Sequence, residues 1–312
     1  MTGKVWRQYL QTYVALRRAT GFSMQREERL LHDFVEHLER RDQNASIAQV
    51  AVEWASASTD SQHAGRLSIV RGFLTMVRAA EPDIDVPGAG LVRTYKRPTP
   101  RILTPDEIVA LMDAARALGP PNALRPHTVA TVIGLMASCG LRGGEAIRLD
   151  IDHVDLVGIP PCLEIQSTKF RKSRLVPLHP TTAAALRAYA EQRRALGYDG
   201  LSSAFFVSER GARLHYHDIA RTFVQLARQL GLRGPAGTPG VSLHKLRHSF
   251  AVARLAAWAQ QGVAVRDRLP ALAVYLGHVS PQNTYWYLTA TPPVLEPAAA
   301  RFEAFVDGKG AP

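Results

Sequence analysis

Cysteine is scarce in this 312-residue chain, and its two cysteines, Cys139 and Cys162, have no partner at metal-ligand spacing. That excludes a disulfide framework and fits a reducing compartment, with each thiol among apolar neighbours as core packing. No apolar run reaches the length that crosses a bilayer, and the opening Met-Thr-Gly-Lys-Val-Trp-Arg has no secretory hydrophobic region. None of the eleven histidines pairs with others at zinc-ligand spacing, so no metal is expected. Internal repeats and low-complexity tracts are missing as well. The expectation is a soluble intracellular protein without membrane attachment, cytoplasmic and nucleoid-associated if bacterial.

Acidic residues also fall short, with 27 Asp and Glu against 38 Lys and Arg and a formal net charge of +11. Such an excess points to a polyanionic partner, nucleic acid first and an anionic membrane surface second. The hydrophobic fraction of 46% is ordinary, and the length fits two domains, each with its own core.

Residues 1–80 read as four short helices, with apolar stripes running through Trp6 and Leu10, Leu31 and Phe34, Val50 and Trp54, and Leu67, Val70 and Leu74. Gly21-Phe22-Ser23 and Asn44-Ala45-Ser46 supply the breaks and N-caps. Arg17, Arg18, Arg66, Arg71 and Arg78 lie largely off the stripes, either as solvated surface or as phosphate contacts. Residues 81–103, rich in Pro and Gly, read as a linker whose basic cluster Arg93, Lys96 and Arg97 could track a nucleic-acid backbone.

A second domain, 104–312, opens on Thr104-Pro105-Asp106-Glu107, a capping-box start. An apolar helix spans about Val129 to Cys139 and stops at Gly140, a left-handed C-terminal cap. Leu163 and Ile165, then Val176 and Leu178, alternate around a basic turn and predict an exposed hairpin, not a core strand pair hidden from solvent. Helices are expected at Thr181 to Arg194 and Asp218 to Leu230. In a last helix His244 and Arg247 share one face, either a solvated basic face or a grip for an anion, while Leu246, Phe250, Ala253 and Ala257 are expected to bury the opposite side. The fold class is mostly α with a small β-sheet or hairpin.

Gly140-Leu-Arg142-x-x-Glu145, the Thr168-Lys169-Phe170-Arg171-Lys172 turn, His244-x-x-Arg247-His248, and Leu276-Gly277-His278 with Tyr287 nine residues on stand in that order. This set resembles the catalytic domain of tyrosine recombinases, the phage-integrase and Xer-like family of DNA strand-exchange enzymes. The resemblance covers residues 104 to about 290, and the N-terminal bundle fits the family's core-DNA-binding domain in size and type. It implies an N-terminal helical bundle joined to a mixed α/β catalytic domain.

By that resemblance Tyr287 is the nucleophile, and Arg142 and Arg247 offer paired donors to the nonbridging oxygens of a phosphodiester. His244 is the acid/base partner, His278 donates to the phosphate, Lys169 protonates the departing 5′ oxygen, and Glu145 orients its neighbours. The product is a 3′-phosphotyrosyl link, passed on through a Holliday junction. Energy is conserved in that bond, so no cofactor, ATP or metal is implied. The implied partners are double-stranded DNA, further contacted by Arg171 and Lys172, and a homo-tetramer on two sites that is monomeric without DNA.

Rival readings are a type IB topoisomerase-like enzyme and a DNA-binding protein of the same fold without catalysis. Lys172 is a local rival to Lys169, while Tyr285 and Trp286 read as packing and His248 as support for Arg247. Gly143-Gly144 departs from the family pattern and loosens the start of its helix by about 1 kcal/mol per glycine. The Arg247 to His278 interval is long, with Trp258 to Pro270 holding the extra residues. A C-terminal segment carrying Leu295, Phe302, Phe305 and Val306 needs a partner surface, in its own domain or on an adjacent protomer.

Overall fold

The computed structural model describes residues 3–41, 45–92, 101–120, 122–166, 173–238, 240–278, 280 and 282–289. The chain divides into two compact units, Met1–Pro98 and Thr99–Pro312. Among the described residues no helix is long and apolar enough to cross a membrane.

The first unit consists of helices α1 (Gly3–Ala19), α2 (Gln25–Glu39), α3 (Ile47–Ser56) and α4 (Asp60–Arg78). Their stripes meet in a core that includes Trp6, Leu10, Leu31, Phe34, Phe73 and Leu74. Trp54 stands edge-on to Phe34 at 5.4 Å and donates its indole N–H to Asp33 at 3.0 Å, so the buried ring keeps its hydrogen bond. Ser46 caps α3 by accepting the Gln49 N–H at 3.2 Å. The Gly21-Phe22-Ser23 break does not supply the cap of α2. That position belongs to Met24, left-handed at φ 55° and without a side-chain cap. Its side chain is buried, so apolar packing takes the place of a capping hydrogen bond.

Three of the five arginines read as lying off the stripes have partners within this unit. Arg18 pairs with Glu28 at 2.6 Å, Arg66 reaches Asp33 at 3.4 Å and lies over the Trp54 ring, and Arg17 lies over Phe22. Arg71 is half-buried. Arg93, Lys96 and Arg97 lie outside the described residues, as do Arg171 and Lys172.

The second unit begins with α5 (Pro105–Arg116), where Thr104 Oγ1 accepts the Glu107 N–H at 3.2 Å and Glu107 accepts the Thr104 N–H at 3.0 Å. Its central element is α6 (Leu124–Cys139), apolar nearly all round because α5, α8 (Pro180–Ala195) and α10 (Leu243–Gln260) all pack on it. It ends at Gly140, φ 61°, the left-handed stop legible in the sequence. The short α7 (Gly143–Ile147) follows. Strands β1 (Val154–Asp155), β2 (Cys162–Ile165) and β3 (Arg174–Pro177) make an antiparallel sheet in that order, with Leu163 opposite Val176. Leu163, Ile165, Val176 and Leu178 are all buried, which corrects the expectation of a hairpin apart from the core: one face of the sheet is core. Its tip lies outside the described residues.

Helices α9 (Tyr216–Gln229), α11 (Val265–Leu276) and α12 (Gln282–Thr289) complete the unit. The long Arg247 to His278 interval is taken up by the rest of α10 and by α11, which turn into one another at Gly262, φ 72°. The stripe expected to bury α10 also needs correction. Leu246 is buried, but Ala253 is exposed and Phe250 and Ala257 are half-buried, lining a cleft of about 740 Å³ with α5, α6 and α8. The buried side carries Leu243, Arg247, Ala251, Val252 and Leu255 instead. An arginine sits there because backbone carbonyls, not water, meet its charge.

Gly140→Ala tests this arrangement. A left-handed backbone costs an L-residue about 1–2 kcal/mol, and an added Cβ would lie 2.4 Å from Phe250 Cδ1 and 2.9 Å from Leu276 Cδ2. The urea unfolding midpoint is expected to fall, and an unchanged midpoint at unchanged slope contradicts this account.

Candidate active site

The last carbonyls of an α-helix have no partner within the helix. At the end of α6, Gly140 O accepts from Arg247 Nη1 at 2.8 Å. At the end of α11, Leu276 O accepts from the same guanidinium at 2.7 Å, Gly277 O from Arg142 Nη2 at 2.9 Å, and Tyr275 O from Arg174 Nε at 2.8 Å. Two negative helix ends thus converge on three guanidiniums. Burial first, and the neighbouring Arg142 second, bring the Arg247 pKa down to about 10, which leaves it charged at neutral pH.

Among the described residues, the carboxylate that pairs with these guanidiniums is that of Glu145. Glu145 accepts from Arg142 Nη1 at 2.7 Å and from the Arg142 N–H at 3.0 Å, and from Arg174 at 2.8 and 3.2 Å. Burial alone raises its pKa, but the Arg174 hydrogen bond and charge, with Arg142 behind them, outweigh that and hold it at about 2. Arg174 escaped the sequence reading as an individual residue. The available signal was its phase: it shares a strand face with the buried Val176, two residues on, so its side chain enters the core side.

His278 and Tyr287 enter from the segment after α11. Tyr287, on α12, is 2% exposed, and the two rings lie nearly parallel at 6.1 Å. Burial, followed by the charges of Arg247, Arg142 and Arg174, pushes the His278 pKa down to about 3, so the imidazole is neutral. Its Nδ1 lies 2.7 Å from the hydroxyl of Thr284, itself buried. With that hydroxyl donating to Nδ1, the proton resides on Nε2 and His278 is a neutral donor.

His248 Nδ1 lies 3.0 Å from Tyr287 Oη. Sequence reasoning gave His248 only a supporting place and passed over Thr284. The exposed His244, one turn before His248, sets its ring edge-on to that residue at 4.5 Å. Of the adjacent aromatics, Trp286 is half-buried beside Tyr287, whereas Tyr285, read as packing, is 48% exposed. The first glycine of the pair faces an aromatic ring: a Cβ on Gly143 would lie 2.4 Å from the Tyr216 ring.

The structure therefore gathers Arg142, Glu145, His244, Arg247, His278 and Tyr287, while Lys169 lies outside the described residues. Phenol, neutral imidazole and clustered guanidiniums provide a nucleophile and donors for an anion that carries charge on several oxygens.

Comparison with known proteins gives the family. Residues 101–292 match the model of the phage integrase family. The "Putative integrase/recombinase y4rB" of Sinorhizobium fredii (strain NBRC 101917 / NGR234) is 39% identical over 96% of this chain and 97% of its own. Tyrosine recombinase XerD of Mycobacterium leprae (strain TN) is 31% identical over 83% of this chain and 76% of its own. In fold, the lambda integrase tetramer bound to a Holliday junction matches with a TM-score of 0.61 at 17% identity, covering 88% of this chain and 77% of that one. The chain belongs to the phage integrase family and is a tyrosine-type site-specific recombinase or integrase acting on DNA.

Because the folded pKa of Glu145 lies below its unfolded value, its stabilisation is complete above about pH 4.5 and is lost as the pH falls toward about 2. Glu145→Gln is expected to destabilise the protein by about 3 kcal/mol near neutral pH. Urea midpoints of wild type and variant should converge as the buffer is taken from about pH 7 to about pH 3; a gap that ignores pH sinks the assignment.

Proposed function

We propose that Tyr287 attacks a scissile phosphodiester to form a 3′-phosphotyrosyl link and free a 5′ hydroxyl, which a second strand then attacks in turn. Two such exchanges on two duplex sites, within a homo-tetramer, pass through a Holliday junction; without DNA the protein is monomeric. The observation that carries this reading is the charge imbalance: Arg142, Arg174 and Arg247 surround one carboxylate, Glu145, beside a buried tyrosine. Clustered like charges at low dielectric call for an anion, and a phosphate supplies it.

In this mechanism Arg142 and Arg247 each keep donors for the nonbridging oxygens, held in aim by the carbonyls behind them. Glu145 and Arg174 orient Arg142. Neutral His278 donates from Nε2 to the phosphate without taking its proton away, His244 serves as acid/base partner, and Lys169 protonates the leaving 5′ oxygen. The phosphotyrosyl bond conserves the energy of the one broken, so ATP and metal are not required.

The domain assignment follows: residues 1–80 bind core DNA, 81–103 link, and 104–312 carry catalysis and a C-terminal docking tail. Arg17, Arg18, Arg66, Arg71, Arg93, Lys96, Arg97, Arg171 and Lys172 contact the DNA backbone. The apolar cleft beside Phe250 and Ala253 suits the segment with Leu295, Phe302 and Phe305, from the same protomer or an adjacent one.

A nicked suicide duplex carrying the native site tests the chemistry. Wild type should become covalently attached to DNA and Tyr287→Phe should not; an unchanged adduct yield moves the nucleophile elsewhere. Arg247→Lys keeps the charge but loses the paired donors, so DNA binding by mobility shift should persist while cleavage falls about 100-fold or more. Thr284→Val should slow cleavage and Thr284→Ser should restore it, since only the hydroxyl fixes the His278 tautomer.

A further inference from the structure

We propose that His248 does more than brace Arg247: it holds the Tyr287 phenol for attack and takes its proton as the bond to phosphorus forms. The inference rests on the reading of Tyr287 as nucleophile. Its basis is geometric. Nδ1 of His248 lies 3.0 Å from Tyr287 Oη, and the two residues are 3% and 2% exposed, so this pair meets away from bulk water. The His248 ring is fixed from two sides, by Trp286 at 5.3 Å and His244 at 4.5 Å between centroids.

A phenol has a pKa near 10, so at neutral pH it needs a base within hydrogen-bond reach. His248 meets that requirement. Nδ1 accepts the phenol O–H, which puts the imidazole's own proton on Nε2. As the Oη–P bond forms and the P–O5′ bond breaks, the phenol proton moves to His248 Nδ1, and the leaving 5′ oxygen takes a separate proton from Lys169. Reversal by an attacking 5′ hydroxyl returns both protons.

Arg247 lies close enough to Tyr287 for its charge to favour a phenolate, while a proton on His248 would add to the positive charge already clustered in the site and is opposed by it. A bound phosphate, gaining negative charge as it reacts, offsets that opposition. Proton transfer is thereby tied to the presence of DNA. Exposed His244, against the His248 ring, then serves as acid/base partner through His248 and not on the phenol directly.

The test uses the full-length protein on the nicked suicide duplex. Asn at 248 keeps an acceptor where Nδ1 stands but cannot take a proton. His248→Asn should bind DNA as wild type does and cleave about 100-fold more slowly. Incorporating a trifluorotyrosine at 287, whose phenol ionises near neutral pH unaided, should recover most of that loss in the variant and change wild type little. His248→Gln repeats the test should the Asn variant not fold.

Three results overturn the proposal: cleavage by His248→Asn within about threefold of wild type, a loss that the fluorinated tyrosine does not recover, or cleavage faster than wild type, which would make the contact a restraint. Adducts that persist in Tyr287→Phe remove the nucleophile assignment itself, an outcome distinct from all three.

Discussion

Three guanidiniums held around one carboxylate repel one another, and the carbonyls at two helix ends make the arrangement tolerable. Gly140 O at the end of α6, with Tyr275 O, Leu276 O and Gly277 O at the end of α11, are groups a helix leaves unsatisfied. Here the arginines satisfy them. The same contacts remove an orphan acceptor and aim a donor, so helix termination and site construction are one event. Both ends need a left-handed glycine to turn the chain away, at φ 61° for Gly140 and φ 67° for Gly277.

Glu145 completes that frame but leaves it short of negative charge. A folded protein that retains this deficit has a place for an anion, and the DNA on which this chain acts carries phosphates. The neutrality of His278 belongs to the same place, since burial first and the guanidinium charges second strip the imidazole of its second proton. Arg174 ties the sheet into it: β3 begins at the residue that grips both Glu145 and the Tyr275 carbonyl. Strand β3 is therefore anchored two residues before the glycine that precedes His278.

Much of this was legible in residue order. Helix stripes, the Thr104 capping box, the Gly140 stop and the spacing of Arg142, His244, Arg247, His278 and Tyr287 all rest on local periodicity or fixed offsets, which a linear chain displays. The errors share a cause. The α10 stripe from Leu246 to Ala257 obeyed helical spacing, yet burial depended on which neighbours packed on either side, and Arg247 sat inward because distant carbonyls received it. The cap at Met24 was hidden for the same reason, since a tertiary pocket replaced a local hydrogen bond. His248 and Thr284 are ordinary polar residues until folding sets them against Tyr287 and His278. Arg174 alone left a trace, in its strand phase.

Gly143 looked like a weakness at the head of α7, and the Tyr216 ring against its Cα shows what the missing side chain makes room for. The two positions, 73 residues apart by their numbering, form a single steric decision. With the Tyr216 ring where it stands, a side chain at 143 fits only if that half-exposed ring swings aside. Across relatives the pair should therefore drift together or stay put, and grafting one without the other between homologues should cost more than exchanging both.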